Sequence, residues 1–178
     1  MKMYSHKALK CGFVILCPEH AIGLLKTTMN SIKSRYTDIP VICATDDTAN
    51  VEDMKEMNTL CPTYKGKTTF SSLINVGMRH APAEWNFIIC AGATVRWKMD
   101  QRFAYFVENE KDILFPIAEN KTNFVDATLN GLFINKKTWK EVGEMADIGP
   151  FEVIKLMWAM EAIDKGVKFK AIAGSKLC

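Results

Sequence analysis

Apolar residues along this chain fall into short unbroken runs separated by stretches with helical spacing. Gly12 to Cys17 (GFVILC) is a continuous apolar run ending at Pro18, the pattern of a strand buried on both faces of a parallel sheet. Ile22, Leu25, Met29, Ile32 and Tyr36 then recur in steps of three and four, while Lys26, Asn30, Lys33 and Arg35 fall on other faces, which predicts an amphipathic helix. Pro40 leads into a second apolar run, Val41 to Ala44, closed by the polar turn Thr45-Asp46-Asp47-Thr48. Strand, helix, strand with a right-handed crossover makes the two strands parallel neighbours. Their ends then share one edge of the sheet, where ligands bind in open α/β folds.

The same reading continues downstream. A short helix is expected near Val51 to Met57, an irregular or strand segment around Cys61 to Lys65, and a helix from Phe70 to His80 with Thr69 or Ser71 near its start. Trp85 to Ala91 (WNFIICA) is another buried strand. Met99, Phe103, Phe106 and Val107 mark a helix stripe, and Ile113 to Ile117 a strand weakened by Pro116. Asn130 to Ile134 predicts a strand and Lys136 to Val142 a short helix. Gly149-Pro150 opens a strongly apolar helix that runs to about Lys165 and stops at Gly166. Ordinary burial preference assigns its Met157 and Trp158 to the core. Val167, Phe169 and Ala171 alternate with Lys168 and Lys170 as in a half-exposed strand. The expected architecture is α/β: one domain over residues 1–178 with a mostly parallel central sheet and an irregular second half.

Composition narrows the function classes. The chain has 178 residues, enough for one domain with a real core, and 48% hydrophobic against 24% charged residues places it among folded globular proteins. Its 23 basic and 20 acidic residues are scattered, with no basic stripe of the kind a nucleic-acid partner requires. No apolar run reaches membrane-spanning length, and Met1 to Lys10 is too polar for a signal peptide. Six cysteines without a C-x-x-C, three of them inside apolar runs, fit reduced cytoplasmic chemistry better than a zinc or disulfide framework.

Candidate chemistry is sparse. Pro18-Glu19 and Asp46-Asp47 emerge at the same sheet edge, where a carboxylate accepts hydrogen bonds from a ribose hydroxyl or a base N–H, or simply caps the next helix. Asn75 and Gly77 share one helix. A glycine inside a helix costs about 1 kcal/mol relative to alanine, so something needs the space, whether a packed neighbour or a ligand. Glu152 lies in the first turn of the last helix, either as a complement to the helix dipole or as a general base. His6, His20 and His80 are dispersed, and no nucleophile triad, dinucleotide fingerprint or P-loop is present.

These elements, in this order, resemble the GT-A fold glycosyltransferases, specifically the large inverting family 2-like group. The likeness runs through the first strand ending in Pro18 with Leu24-Leu25 and Ser31-Ile32 after it, and through Pro40 to Asp47 (PVICATDD). Asn75-Val76-Gly77 precedes Ala83-Glu84-Trp85, and Asn130 to Ile134 is followed by two lysines, Trp139 and Val142-Gly143. The resemblance implies a Rossmann-like sandwich whose half 1–97 binds nucleotide and whose half 98–178 faces the acceptor. It implies a nucleotide-diphosphate sugar donor bound by Pro18, Glu19, Asp46, Asp47, Asn75, Gly77 and Arg96, a carbohydrate or other hydroxyl acceptor, and Glu152 as catalytic base, with Phe151 in place of the first acid of the family's pair. It also implies a divalent cation, Mn²⁺ or Mg²⁺, held by an Asp-x-Asp motif. Here that position reads Ile89-Cys90-Ala91-Gly92-Ala93-Thr94, with no carboxylate between Glu84 and Asp100. Arg96 or Lys98 then offers positive charge in place of the metal, or the fold serves as a non-catalytic binding or assembly module.

Overall fold

A computed structural model describes residues 9–46, 51–95, 99–117 and 131–173 of the chain. Seven strands form one sheet in the order β3-β2-β1-β4-β6-β5-β7, with β1 at Cys11–Cys17, β2 at Val41–Asp46, β3 at Thr63–Gly66, β4 at Trp85–Cys90, β5 at Asp112–Ile117, β6 at Leu132–Asn135 and β7 at Lys168–Ala173. β1, β2, β3 and β4 are mutually parallel, with Ile15 opposite Cys43 on one side and Ile89 on the other. β6 is antiparallel to both β4 and β5, and β5 pairs in parallel with β7.

Among the described residues six α-helices cover the two faces: α1 (Ile22–Lys33), α2 (Val51–Leu60), α3 (Phe70–Arg79), α4 (Met99–Phe106), α5 (Lys136–Val142) and α6 (Phe151–Asp164). Alternation along each strand sorts the core into two layers. Phe13, Ile15 and Cys17 of β1 join Leu25, Met29 and Ile32 of α1, while Val14 and Leu16 join Leu73 and Ile74 of α3 and Trp158 of α6. The first layer centres on a ring stack in which Phe87 lies 5.2 Å from Phe13 and 4.3 Å from Phe133. α3 starts where Thr69 Oγ1 accepts from the Ser72 N–H, and α5 where Asn135 Oδ1 accepts from the Lys137 N–H, each a side-chain N-cap.

Several expectations are corrected. Among its described residues the second half is regular: β5, β6 and β7 extend the same sheet. β5 runs through Pro116, which pairs with Ile172 of β7. Met157 is 64% exposed although its neighbour Trp158 is buried. A helix apolar all round reads as buried all round, yet α6 packs only its Ile154, Trp158 and Ala162 side inward. Phe106 is likewise exposed. In β7 the alternation breaks, with Phe169 half-buried, Ala171 exposed and Ile172 in the core.

Candidate functional site

Because β1 to β4 are parallel, Cys17, Asp46, Gly66 and Cys90 end at one edge of the sheet. Asp46 is 0% exposed, and its Oδ2 accepts the Glu19 N–H at 3.1 Å. A carboxylate on a backbone N–H is a strong, charge-assisted bond. It fixes the Pro18-Glu19 turn against the end of β2, leaving Pro18 half-buried and Glu19 exposed at the rim. Asp46 therefore shapes the edge from inside. One residue earlier, Thr45 Oγ1 is buried without a hydrogen-bond partner among the described residues; the sequence pattern assigns Thr45 and Asp46 to the turn after the second strand, whereas both lie within β2. Asp47, Arg96 and Lys98 lie outside the described residues.

α3 and α6 bring their first turns to the same edge. The Phe70 and Phe151 rings meet with centroids 5.7 Å apart. Glu152 follows, its side chain 70% exposed, with Oε2 accepting from Lys155 Nζ at 2.7 Å. Lys155 is itself buried, so a cation sheathed by the helix surface aims its head at the candidate base. The i,i+3 spacing of Glu152 and Lys155 was the available signal for this pair.

Asn75 and Gly77, expected among the donor contacts, are both buried in α3. Asn75 Nδ2 donates to the Met145 carbonyl at 2.8 Å, and its Oδ1 accepts the Met145 N–H at 2.9 Å, so the amide clasps the segment leading into α6. Arg79 pairs with Glu144 beside it and holds that carboxyl below its ordinary pKa. Gly77 lies against the sheet: a Cβ there would overlap Val14 Cγ1. The space is taken by close packing of helix on strand. Together the two residues seat α3 and the approach to α6.

The turn after β4 is anchored on α1, with the Gly92 N–H donating to Thr28 Oγ1 at 2.8 Å and the Val95 N–H to Ser31 Oγ at 3.0 Å. Gly92 has φ 97°, a conformation that favours glycine. A hard divalent cation requires several oxygen ligands, preferably charged. Residues 90–95 supply no carboxylate, and no group of three His, Cys, Asp or Glu side chains able to hold a metal occurs among the described residues. The residues present do not fit the family's cation seat.

Cys11, Cys17, Cys43, Cys61 and Cys90 carry thiols that are not joined in disulfides. A hydrogen bond from Cys43 keeps the Cys17 thiol below its ordinary pKa, while the same bond and burial push Cys43 well above it.

This architecture is the nucleotide-diphospho-sugar transferase fold of the GT-A-like glycosyltransferases. Residues 1–349 of S. aureus TarS in complex with UDP superpose with a TM-score of 0.63 at 11% identity, over 93% of this chain and 59% of that one. A mannosyltransferase from Pyrobaculum calidifontis in complex with GDP-Man and Mn²⁺ gives 0.67 at 10%, over 91% of this chain and 55% of that one. A cytidylyltransferase from Leptospira borgpetersenii gives 0.62 at 11%, over 94% and 77%. Such identities establish a shared fold, and this chain spans little more than half the length of the two glycosyltransferases. No protein-family model and no curated protein matches the sequence. No described helix is long and apolar enough to cross a membrane.

Proposed function

We propose that the chain binds a nucleotide-diphosphate sugar at the C-terminal edge of its parallel strands and transfers the sugar, with inversion, to an acceptor hydroxyl. The observation that carries this reading is the convergence on one edge of the Asp46-fixed Pro18-Glu19 turn and the exposed Glu152 carboxylate, within a fold shared with GT-A-like transferases. Asp46 holds the rim rigid, and Asp47, next in sequence, is the carboxylate offered to ribose hydroxyls. Glu152 takes the acceptor proton as the acceptor oxygen attacks the anomeric carbon. The bond from that carbon to the diphosphate oxygen breaks, and the nucleoside diphosphate leaves. Arg96 supplies positive charge to the leaving diphosphate, since the turn after β4 has no acidic pair to seat a cation.

The test combines calorimetric titration of uridine-, guanosine- and cytidine-diphosphate sugars, in chelator and in Mn²⁺, with transfer assays on a sugar-acceptor panel. Saturable binding that persists in chelator is expected. Glu152→Gln, at an exposed position, is expected to keep donor affinity while turnover falls about 10²- to 10⁴-fold, the usual contribution of a general base. Unchanged turnover in that variant overturns the base assignment.

A second reading, a non-catalytic binding module, is favoured by one observation, the Ala91-Gly92-Ala93 sequence where the resemblance calls for an acidic pair. Tight donor binding without transfer to any acceptor or to water selects it.

A further inference from the structure

We propose that the opposite edge of the sheet carries a second, independent site, a cleft of about 740 Å³ that takes a small organic molecule through a phosphate or carboxylate group. The cleft opens where β1 and β4 begin and the antiparallel β6 ends. Its volume lies within the usual range for small-molecule sites, roughly 300–1,000 Å³. Pro40, Pro82 and Ala83 give it apolar walls that suit a carbon skeleton.

Charge decides what that skeleton must carry. Four lysines, Lys10, Lys136, Lys137 and Lys140, line the cleft against two carboxylates, Glu84 and Glu110. Lys137 Nζ is paired with Glu110 at 2.8 Å. Lys136 Nζ donates to the Ala81 carbonyl at 2.8 Å, which positions its charge without neutralising it. Lys10 and Lys140 are exposed, and their ammonium groups have no partner among the described residues. With the Lys137–Glu110 pair set aside, the lining keeps three lysines against one carboxylate, Glu84, a net positive charge on a concave surface, which concentrates anions.

An independent feature asks for the same atom. Asn135, also lining the cleft, is 1% exposed. Its Oδ1 is committed to the Lys137 N–H at 2.8 Å, and its Nδ2 has no hydrogen-bond partner among the described residues. A buried donor without an acceptor is costly, and because this nitrogen is enclosed, an anionic oxygen in the cleft removes that cost once the Asn135 side chain turns toward it. Surplus positive charge and an unused N–H thus specify an oxyanion. This site stands apart from the sugar-nucleotide reading, because Glu152 and Asp46 lie at the other end of the strands.

The experiment titrates the full chain with phenyl phosphate, benzoate and inorganic phosphate while following the Asn135 side-chain NH₂ and Lys137 amide resonances. Two variants accompany it: Lys10→Ala with Lys140→Ala, both at exposed positions, and Asn135→Asp, which keeps the capping oxygen and replaces the free N–H by a second oxygen. Saturable shifts at Asn135 are expected, with affinity at least about tenfold weaker in each variant, as loss of charge-assisted contacts requires. Tighter binding of phenyl phosphate assigns a phosphate ligand, and tighter binding of benzoate a carboxylate. No saturable shift with any probe, or affinity unchanged in the double-lysine variant, overturns the proposal. The lysine variant decides the matter even where Asn135→Asp does not fold. A failure of sugar-nucleotide binding at the other edge leaves this outcome as it is.

Discussion

The two faces of the sheet are held by different physics. On the face covered by α1, α2 and α4, Phe13, Phe87, Phe103 and Phe133 form a continuous aromatic stack with Trp85 beside it, Phe87 and Phe103 meeting edge-on at 5.2 Å and Trp85 and Phe133 stacked at 5.0 Å. On the face covered by α3, α5 and α6, the fit depends on directional contacts. Gly77 lies tight on Val14, Asn75 clasps both backbone groups of Met145, and Trp158 Nε1 donates to the Gly143 carbonyl at 2.8 Å. Apolar burial is non-directional and scales with area, whereas hydrogen bonds and close approaches fix geometry. The face that positions α6, and with it Glu152, is the one built from the directional contacts.

The sharpest way to break this contrast is to remove volume from the aromatic face. Phe87→Ala deletes the ring that touches Phe13, Phe103 and Phe133, and is expected to cost about 3–5 kcal/mol in urea unfolding, the range for a buried phenylalanine. Ligand affinity of the molecules that remain folded is expected to stay at the wild-type value. A loss below about 1 kcal/mol would mean that the stack is far less central than its geometry indicates.

Gly77→Ala probes the other face. The new methyl meets Val14 on the rigid central strand, so helix or strand must shift, and about 2–3 kcal/mol is the expected loss. Here affinity for donor is expected to fall as well, because α3 carries Asn75 and hence the approach to α6. Val14→Ala in the same chain is expected to restore part of the loss, a coupling that a double-mutant cycle reads directly. Simple additivity of the two changes would show that the close approach is not the source of the cost.

Alkaline pH acts on both faces at once. Cys61, in the aromatic-face core, and Cys90, against the other, have thiols pushed up by burial to about 11 from the ordinary 9.0. The native state therefore holds these protons more tightly than the unfolded chain. Stability is flat below about pH 9, falls as the unfolded thiols ionise, and levels off above about pH 11, losing about 3 kcal/mol per thiol. Cys61→Ala and Cys90→Ala, measured relative to their own neutral-pH stabilities, are each expected to flatten part of that decline. A profile identical to wild type in both would assign it to other groups.

How much of this was readable beforehand follows the range of the interactions. The run Gly12 to Cys17, the helix stripe after it and Val41 to Ala44 are local patterns, and together with the crossover rule they yield parallel β1 and β2 and the shared edge of Glu19 and Asp46. The insertion of β6 between β4 and β5 is a pairing between distant segments that no local period encodes. Gly77 announced a need for space, and only the fold showed that Val14 fills it. The Asn75 clasp was invisible because Met145 lies 70 positions away. Glu152 was legible as a first-turn acid, whereas the buried Lys155 beneath it sat inside an apolar run that masked its importance.

The smallest expected effect separates two neighbours in α6. Met157 is 64% exposed, so Met157→Gln removes little buried area, and helix propensity is similar for the two residues. Its stability is expected to stay within about 0.5 kcal/mol of wild type, the usual range for surface substitutions. Trp158, one position on, is buried, packs its ring 4.9 Å from Trp139 and bonds Gly143. A hundred-degree turn of helix thus divides a residue that carries the directional face from one that carries nothing in the isolated chain. A loss at Met157 comparable to that of a core residue would mean that its side of α6 is covered in solution. The contrast between the two faces would then have to include whatever covers it.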